Sequence, residues 1–396
     1  MRVPGDHVAL TDALLEPATY SSDPHVVFTE LRDKHPMAWN ATKGFWAVSR
    51  HADVLTASTD PATFCSSRGI LVQEIGSSYD SPPTMMHTDP PAHTRYRGLV
   101  QPAFKPSVVR DLESMVRERT AALVDALVAG EPVDIVQAVA EPLPLQVINA
   151  ILGLPDSDYD KLLAWSTAAI PGADDLTDDE RMVVLTEMTV ELLGLAAARR
   201  TDPKDDLTSL LATVTVDGEQ LRDDELGMFL IQLLVAGNET SRNALSGGLV
   251  ALAENPDQWD QLRRDRSLVT SAVEEILRWT TPVISFMRTS TRDCTLGGAD
   301  VAAGDPLLLL YASADRDEAA FGPTADRFDV GRDPNHHVAF GFGPHFCLGA
   351  ALARLELRAV LEALLDRFEC IESAGAVQRT GSAVIAGVVH APLVLR

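Results

Sequence analysis

The chain has 396 residues, with 33 Lys and Arg against 57 Asp and Glu, for a net charge of −24. Its 46% hydrophobic and 23% charged content supports a sizeable core and excludes wholesale disorder, and its acidity argues against a nucleic-acid binder with a broad basic surface. No stretch approaches the ~18 unbroken apolar residues of a membrane span, and four widely spaced cysteines (Cys65, Cys294, Cys347 and Cys370) make no disulfide framework.

Residues 1–20 carry Asp6, Asp12 and Glu16 and lack the apolar centre of a signal peptide, so a soluble, cytoplasmic enzyme is expected. No glycine- or serine-rich linker and no internal repeat divides the sequence, and residues 1–396 are expected to form one domain. In chain order, the patterns predict a strand at Gly44–Ser49 and helices at Val108–Val128, Pro142–Leu152, Asp179–Arg200, Asp223–Glu254 and Ser267–Trp279. A strand at Leu307–Tyr311, a helix at Leu348–Arg367 and a strand at Leu393–Leu395 follow. The expectation is a mainly α fold with a small β region near its two ends. Helix Asp223–Glu254 would be ~48 Å long at 1.5 Å per residue. It is apolar through Met228–Val235, ends at Asn255-Pro256, and must run through the core. Residues 156–225 hold 18 acidic and six basic side chains. Asp174-Asp175, Asp178-Asp179-Glu180 and Asp223-Asp224-Glu225 fall at helix starts on a solvated face, where acids complement the helix dipole.

The most informative stretch is Phe340-Gly-Phe-Gly-Pro-His-Phe-Cys-Leu-Gly-Ala350. Gly341, Gly343, Gly349 and Pro344 force an irregular loop around one cysteine. A helix follows directly, and its free amides and dipole favour a Cys347 thiolate, lowering a pKa that is ordinarily ~8.5. Two readings stand: a buried cysteine in a tight turn, or a thiolate that binds metal or attacks an electrophile. Zinc is disfavoured. His336, His337, His345 and Cys347 cluster in sequence, but no second cysteine is near and His345-x-Cys347 is not a paired-ligand spacing.

This loop fits the pattern Phe-Gly-x-Gly-x-His-x-Cys-x-Gly at every fixed position. It resembles the haem-binding loop of the cytochrome P-450 family, and the resemblance extends over most of the chain. The resemblance implies haem b (iron protoporphyrin IX) with Cys347 as the thiolate ligand of its iron, which favours O–O cleavage. Phe340 would pack on the ring, Gly341 and Gly349 would allow close approach, and His345 would hydrogen-bond a propionate.

Within the long helix, Ala236-Gly-Asn-Glu-Thr-Ser241 is rich in weak helix formers. Ala236 and Gly237 share a face with Thr240, leaving room for a diatomic ligand beside a hydroxyl. Alone, the segment reads equally as a kinked core helix with one polar patch. Beside the cysteine loop it resembles the family's oxygen-activation motif, with Thr240 in the hydroxyl role and Glu239 in the acid role of a proton relay. Ser241 stands where threonine is common. His93 and Arg97, four apart on a helix after Asp89-Pro-Pro, and Arg288 on an extended segment resemble, with His345, the family's propionate clamp. Glu275-Ile-Leu-Arg278 with Asp326-Arg-Phe328 resembles its structural triad.

The family's variable substrate segments correspond to Ser66–Met86, Phe229–Leu233, Val283–Phe286 and Val384–Val389. Their Ile70, Leu71, Val72, Met85, Met86, Phe229, Leu233, Ile284, Val384 and Ile385 predict a lipophilic substrate, with no carboxylate anchor unless Arg68 or Arg242 supplies one. The runs 237–243 and 44–50 resemble the bacterial branch that oxidises sterols, terpenes and alkyl chains. No GxGxxG follows a strand, so a separate ferredoxin and an NAD(P)H-ferredoxin reductase are expected to deliver electrons on the thiolate side. Lys105, Arg110, Arg354 and Arg358 are candidate contacts there, although the last two read equally as partners of Glu356 and Glu362. The expected activity is that of a monomeric monooxygenase inserting one atom of O2 by hydroxylation or epoxidation. An H2O2-driven peroxygenase is opposed by the intact Glu239–Thr240 pair, and a non-enzymatic haem gas sensor by thiolate ligation.

Overall fold

The structure, a computed structural model, describes residues 7–76, 84–155, 158–170, 176–216 and 219–396. Asp174-Asp175 and residues 77–83 of the segment Ser66–Met86 lie outside the described residues. The helices that position the site are α1 (His51–Thr59), α2 (Ala92–Val100), α3 (Pro106–Asp111), α4 (Glu113–Asp125), α5 (Pro142–Leu152), α6 (Tyr159–Ala168), α7 (Asp178–Thr201), α8 (Asp223–Glu254), α9 (Val269–Thr280) and α10 (Ala350–Arg367). The helix expected over Val108–Val128 is two helices. Pro106 starts the first, and the Leu112 amide closes it by donating to the carbonyl of Val109 at 3.1 Å. Helix α7 is capped reciprocally: Thr177 N–H donates to Glu180 Oε2 at 3.0 Å and Glu180 N–H to Thr177 Oγ1 at 3.4 Å.

Strands β1 (Met37–Asn40), β2 (Phe45–Val48), β3 (Phe64–Cys65), β4 (Pro132–Asp134), β5 (Ser285–Ser290), β6 (Pro306–Leu310), β7 (Ile371–Ser373) and β8 (Pro392–Leu395) form two sheets. The larger runs β1-β2-β6-β5-β3, with β6 parallel to β2 and antiparallel to β5, so it joins residues 37–65 to 285–310. The smaller pairs β7 and β4 on either side of β8, bringing in a strand from the middle of the chain.

Helix α8 keeps its full 32 residues and serves two separate cores. Leu226, Phe229, Leu230 and Leu234 pack with α2, α5, α6 and α7, whereas Ala244, Leu245, Leu249 and Leu252 pack with α4, α9 and α10. Between them Gly237, Thr240 and Ser241 line a cavity within the fold. Among the described residues, no helix is long and apolar enough to cross a membrane.

Candidate active site

The cysteine loop is shaped by its glycines. Gly341 and Gly343 have φ of 67° and 71°, the left-handed region that glycine enters without strain. A Cβ on Gly343 would stand 2.3 Å from the Ser58 carbonyl oxygen, so the loop can lie on α1 only with glycine there. The Cys347 amide donates to the Phe340 carbonyl at 2.8 Å, closing the loop. Arg354 of α10 lies 4.6 Å from the Phe340 ring centre and forks onto Glu274 at 2.7 and 2.8 Å. His337 reaches the same carboxylate at 3.1 Å. Burial opposes ionisation of Glu274, but these two partners hold it down at about 2.

Beneath lies a second buried network. Glu275 and Arg278 are both fully buried and paired at 2.7 and 2.8 Å. Arg278 also donates to the carbonyls of Asp315, Ala325 and Arg327 at 2.7–2.9 Å. Residues 326–328 therefore contribute the Arg327 carbonyl, not a side chain. The further charged partner is Arg332, whose Nε lies 3.1 Å from Glu275 Oε2. Sequence reading missed it, because no fixed spacing ties it to the Glu-x-x-Arg pair.

The Cys347 thiol corrects the expectation of a lowered pKa. Burial pushes it up, while the Gly349 amide and the charges of Arg97 and Arg354 only partly offset this. A cationic metal bound at this sulfur would supply the remaining bias, since coordination deprotonates a thiol outright.

Above the loop is a cavity of about 410 Å3. Phe340, Gly341, Phe346, Cys347 and Gly349 line one side, and Ala236, Gly237, Thr240, Ser241 and Ala244 of α8 the other. At its edge, His93 and Arg97 from α2, Arg288 from β5 and His345 from the loop come together. The His93 and His345 rings are 4.1 Å apart, and His345 Nε2 lies 3.2 Å from Ser66 Oγ. His93 Nε2 is buried without a hydrogen-bond partner. Arg288 donates to the neighbouring Met287 carbonyl at 2.7 Å, and neither it nor Arg97 meets a carboxylate among the described residues. Burial, then the charges of Arg288, His93 and Arg97, press His345 down to about 3. Two uncompensated guanidiniums and an orphaned imidazole nitrogen are costly inside a protein. This donor set fits the dianionic edge of haem b, with a cysteine sulfur and an aromatic ring on the facing wall. Among the described residues, no three His, Cys, Asp or Glu side chains are grouped to hold a metal ion.

Mid-helix, Thr240 lines the cavity and donates to the Ala236 carbonyl at 2.8 Å. Gly237 lines the cavity too, and it has a second reason to be small: a Cβ there would meet Ile148 of α5 at 2.9 Å, so glycine lets the two helices approach. Glu239 is adjacent to Thr240 in sequence, but its carboxyl does not line the cavity. It is fully buried toward α6, with Oε1 at 3.3 Å from Thr167 Oγ1 and 3.2 Å from Arg242 Nη1. Asn238 donates to Ser166 at 2.9 Å beside it. Burial raises Glu239 despite Arg242, and its Oε2 has no partner. Sequence reading missed α6, and it took Glu356 for a partner of the arginines on α10 instead of α8; Arg354 and Arg358 pair with Glu274 and Glu113. Helix α6 supplies Ser166 and Thr167 beside Asn238 and Glu239, as Glu356 faces Ser241 from the other side. Glu356 is buried on α10 against the Ser241 hydroxyl, with its carboxyl pushed up to about 8 by burial.

Ile70, Leu71, Met85, Met86, Leu233, Val384 and Ile385 line the cavity as expected, joined by Ile148, Ile170, Ile231, Val235 and Phe286. Val72, Phe229 and Ile284 do not; the last two lie in the cores on either side, because helix and strand periodicity turns them away. Arg242 is no anchor, being bound to Glu239 and, at 3.7 Å, to Glu141. Arg68 lines a separate groove with Trp39 and Met287. On the thiolate side, Arg354 is taken by Glu274 and Arg358 reaches Glu113 at 3.5 Å; neither pairs with Glu356 or Glu362. Lys105 and Arg110 are exposed.

The family model described as Cytochrome P450 matches residues 184–382. The chain is 35% identical over 400 residues to linalool 8-monooxygenase of Pseudomonas putida, covering 96% of this chain and 98% of that protein. It is 40% identical over 365 residues to the methyl-branched lipid omega-hydroxylase of Mycobacterium tuberculosis, covering 89% and 84% respectively. Among solved structures, CYP108D1 of Novosphingobium aromaticivorans superposes with a TM-score of 0.90 at 34% identity, over the full length of both chains. Taken with the cavity between the cysteine loop and α8, these relationships make the chain a member of the cytochrome P-450 family, a mainly α, haem b-dependent monooxygenase.

Proposed function

We propose that this enzyme hydroxylates a lipophilic small molecule, as a monomeric cytoplasmic domain spanning residues 1–396 and drawing electrons from a separate ferredoxin and its NAD(P)H-dependent reductase. The observation that carries the reading is a single cavity whose cationic edge and cysteine wall suit haem and whose other walls are apolar. Linalool and a methyl-branched lipid, named for the relatives, are substrates of the same lipophilic kind.

In this reading Cys347 is the thiolate ligand, Arg97, Arg288, His93 and His345 hold the propionates, and Phe340, Gly341, Gly349, Ala236 and Gly237 border the ring. Haem bound there supplies O2 reduction and C–H oxidation, with the thiolate's electron donation favouring O–O cleavage. The protein's part is positioning and proton delivery. Thr240 Oγ1, its proton directed to the Ala236 carbonyl, turns its lone pairs to the cavity and orders a hydrogen-bond donor there. Glu239, its carboxyl raised by burial, lies behind α8 against Thr167 and Arg242 and takes the acid role in the relay to Thr240. The apolar walls exclude bulk water and keep the reaction on the substrate.

The test is a screen of lipophilic compounds for a low-spin to high-spin shift, followed by turnover with NADH, reductase and ferredoxin. No shift with any compound, or product formed from H2O2 alone and none with ferredoxin, overturns the reading.

A further inference from the structure

On α8, Gln232, Ala236 and Thr240 follow at intervals of four and all line the cavity, so they share one face. Eight residues separate Gln232 from Thr240, on the order of 12 Å along the helix. Gln232 Oε1 accepts the Met85 backbone N–H at 3.2 Å. Because Met85 N–H is a donor, the atom facing it must be the amide oxygen, which fixes the orientation of the whole amide. The Nε2 group then has two donor hydrogens and no partner among the described residues, in a cavity whose nearby walls are Ile231, Leu233, Met85 and Phe104.

The other polar side chains around it are committed. Thr84 Oγ1 and His87 Nδ1 lie 2.8 Å apart, and His87 Nε2 lies 3.2 Å from Glu74 Oε1. Glu74 Oε2 in turn accepts the amides of Ile70 and Leu71 at 2.7 and 3.1 Å. Further along α8, Thr240 donates to Ala236 and Ser241 faces Glu356.

We infer that Gln232 anchors the substrate by donating to a carbonyl or hydroxyl oxygen, so that the preferred substrate is a lipophilic molecule with one such acceptor at the end remote from the carbon oxidised. The inference deepens the proposed function and rests on it. A pocket that offers a fixed donor discriminates against the analogue lacking the acceptor, because that analogue leaves the donor unpaired.

The experiment titrates the haem-loaded enzyme with 2-undecanone, 2-undecanol and undecane, reading the Kd from the spin-state shift. The ketone and alcohol should bind about 10-fold more tightly than the alkane in the wild type. Gln232→Met, similar in size but without a donor, should erase that preference, with undecane bound at least as tightly as by the wild type, which also shows that the pocket is intact. Equal affinities for all three in the wild type, or a loss in Gln232→Met shared by ketone and alkane, overturn the anchor while leaving the monooxygenase reading in place. A holoenzyme that responds to none of the three counts against the proposed lipophilic substrate class and overturns the anchor with it.

Discussion

Replacing Glu275 by glutamine tests whether the charge network under the cysteine loop is what holds that loop in shape. The carboxylate accepts two bonds from Arg278, one from the Asp329 amide at 2.8 Å, one from Arg332 and one from Asn335 at 3.1 Å. Glutamine keeps the volume and one accepting oxygen but removes the carboxylate charge that both buried guanidiniums pair with. Removing one member of a buried pair typically costs about 3–5 kcal/mol, since the partner charge stays buried. Arg278 retains three backbone carbonyls and Arg332 retains those of Thr324 and Arg327, which argues for about 3 kcal/mol, the lower end. Against a total stability of roughly 5–15 kcal/mol, that is a large fraction. The assay is urea unfolding followed by tryptophan fluorescence, with the ratio of haem absorbance to protein read on the same samples. Both the midpoint and the haem content should fall. A Glu275→Gln protein that unfolds within about 1 kcal/mol of wild type and carries a full complement of haem would refute the argument, because a loss that small is typical of exposed pairs.

Thr240→Ala should divert reducing equivalents to peroxide and lower product formed per NADH, with up to ~10²-fold less product, the lower end for loss of a positioned proton donor; unchanged product per NADH removes Thr240 from the relay. Arg97→Leu should speed haem transfer to an excess of a globin acceptor by about 10–100-fold, the worth of one or two hydrogen bonds to a charged group, and an unaltered transfer rate excludes Arg97 from the clamp. Glu356, raised from 4.5 to about 8 by burial, keeps its proton in the folded protein over a pH range where the unfolded chain has lost it. The folded state therefore binds more protons there, and stability falls as pH rises between those values, by up to about 1.4 kcal/mol per pH unit. Glu356→Gln should flatten that slope in urea unfolding across the range, and an identical slope in both proteins shows that Glu356 does not titrate as described.

The long helix was readable to the residue, because 32 residues of 3.6-fold periodicity bounded by an acidic start and Asn255-Pro256 admit no other element. The cysteine loop was readable for a similar local reason: glycines at Gly341 and Gly343 are demanded by backbone torsion, and torsion is a property of neighbours in the chain. What escaped was set by contacts distant in sequence. The strand Pro132–Asp134 has no strand pattern of its own and exists because Pro392–Leu395 pairs with it. Arg332 and Glu356 gain their meaning from Glu275 and Ser241, 57 and 115 positions away. The acid beside Thr240 was visible as a neighbour in sequence, but adjacent residues on a helix point about 100° apart, so Glu239 faces α6 while Thr240 faces the cavity.

Helix α8 runs through both hydrophobic cores, as α5 beside it does, and the reaction chamber opens at the waist where the two meet. A shift of α8 would therefore disturb packing on both sides at once, so the width of the chamber is held by two cores instead of one.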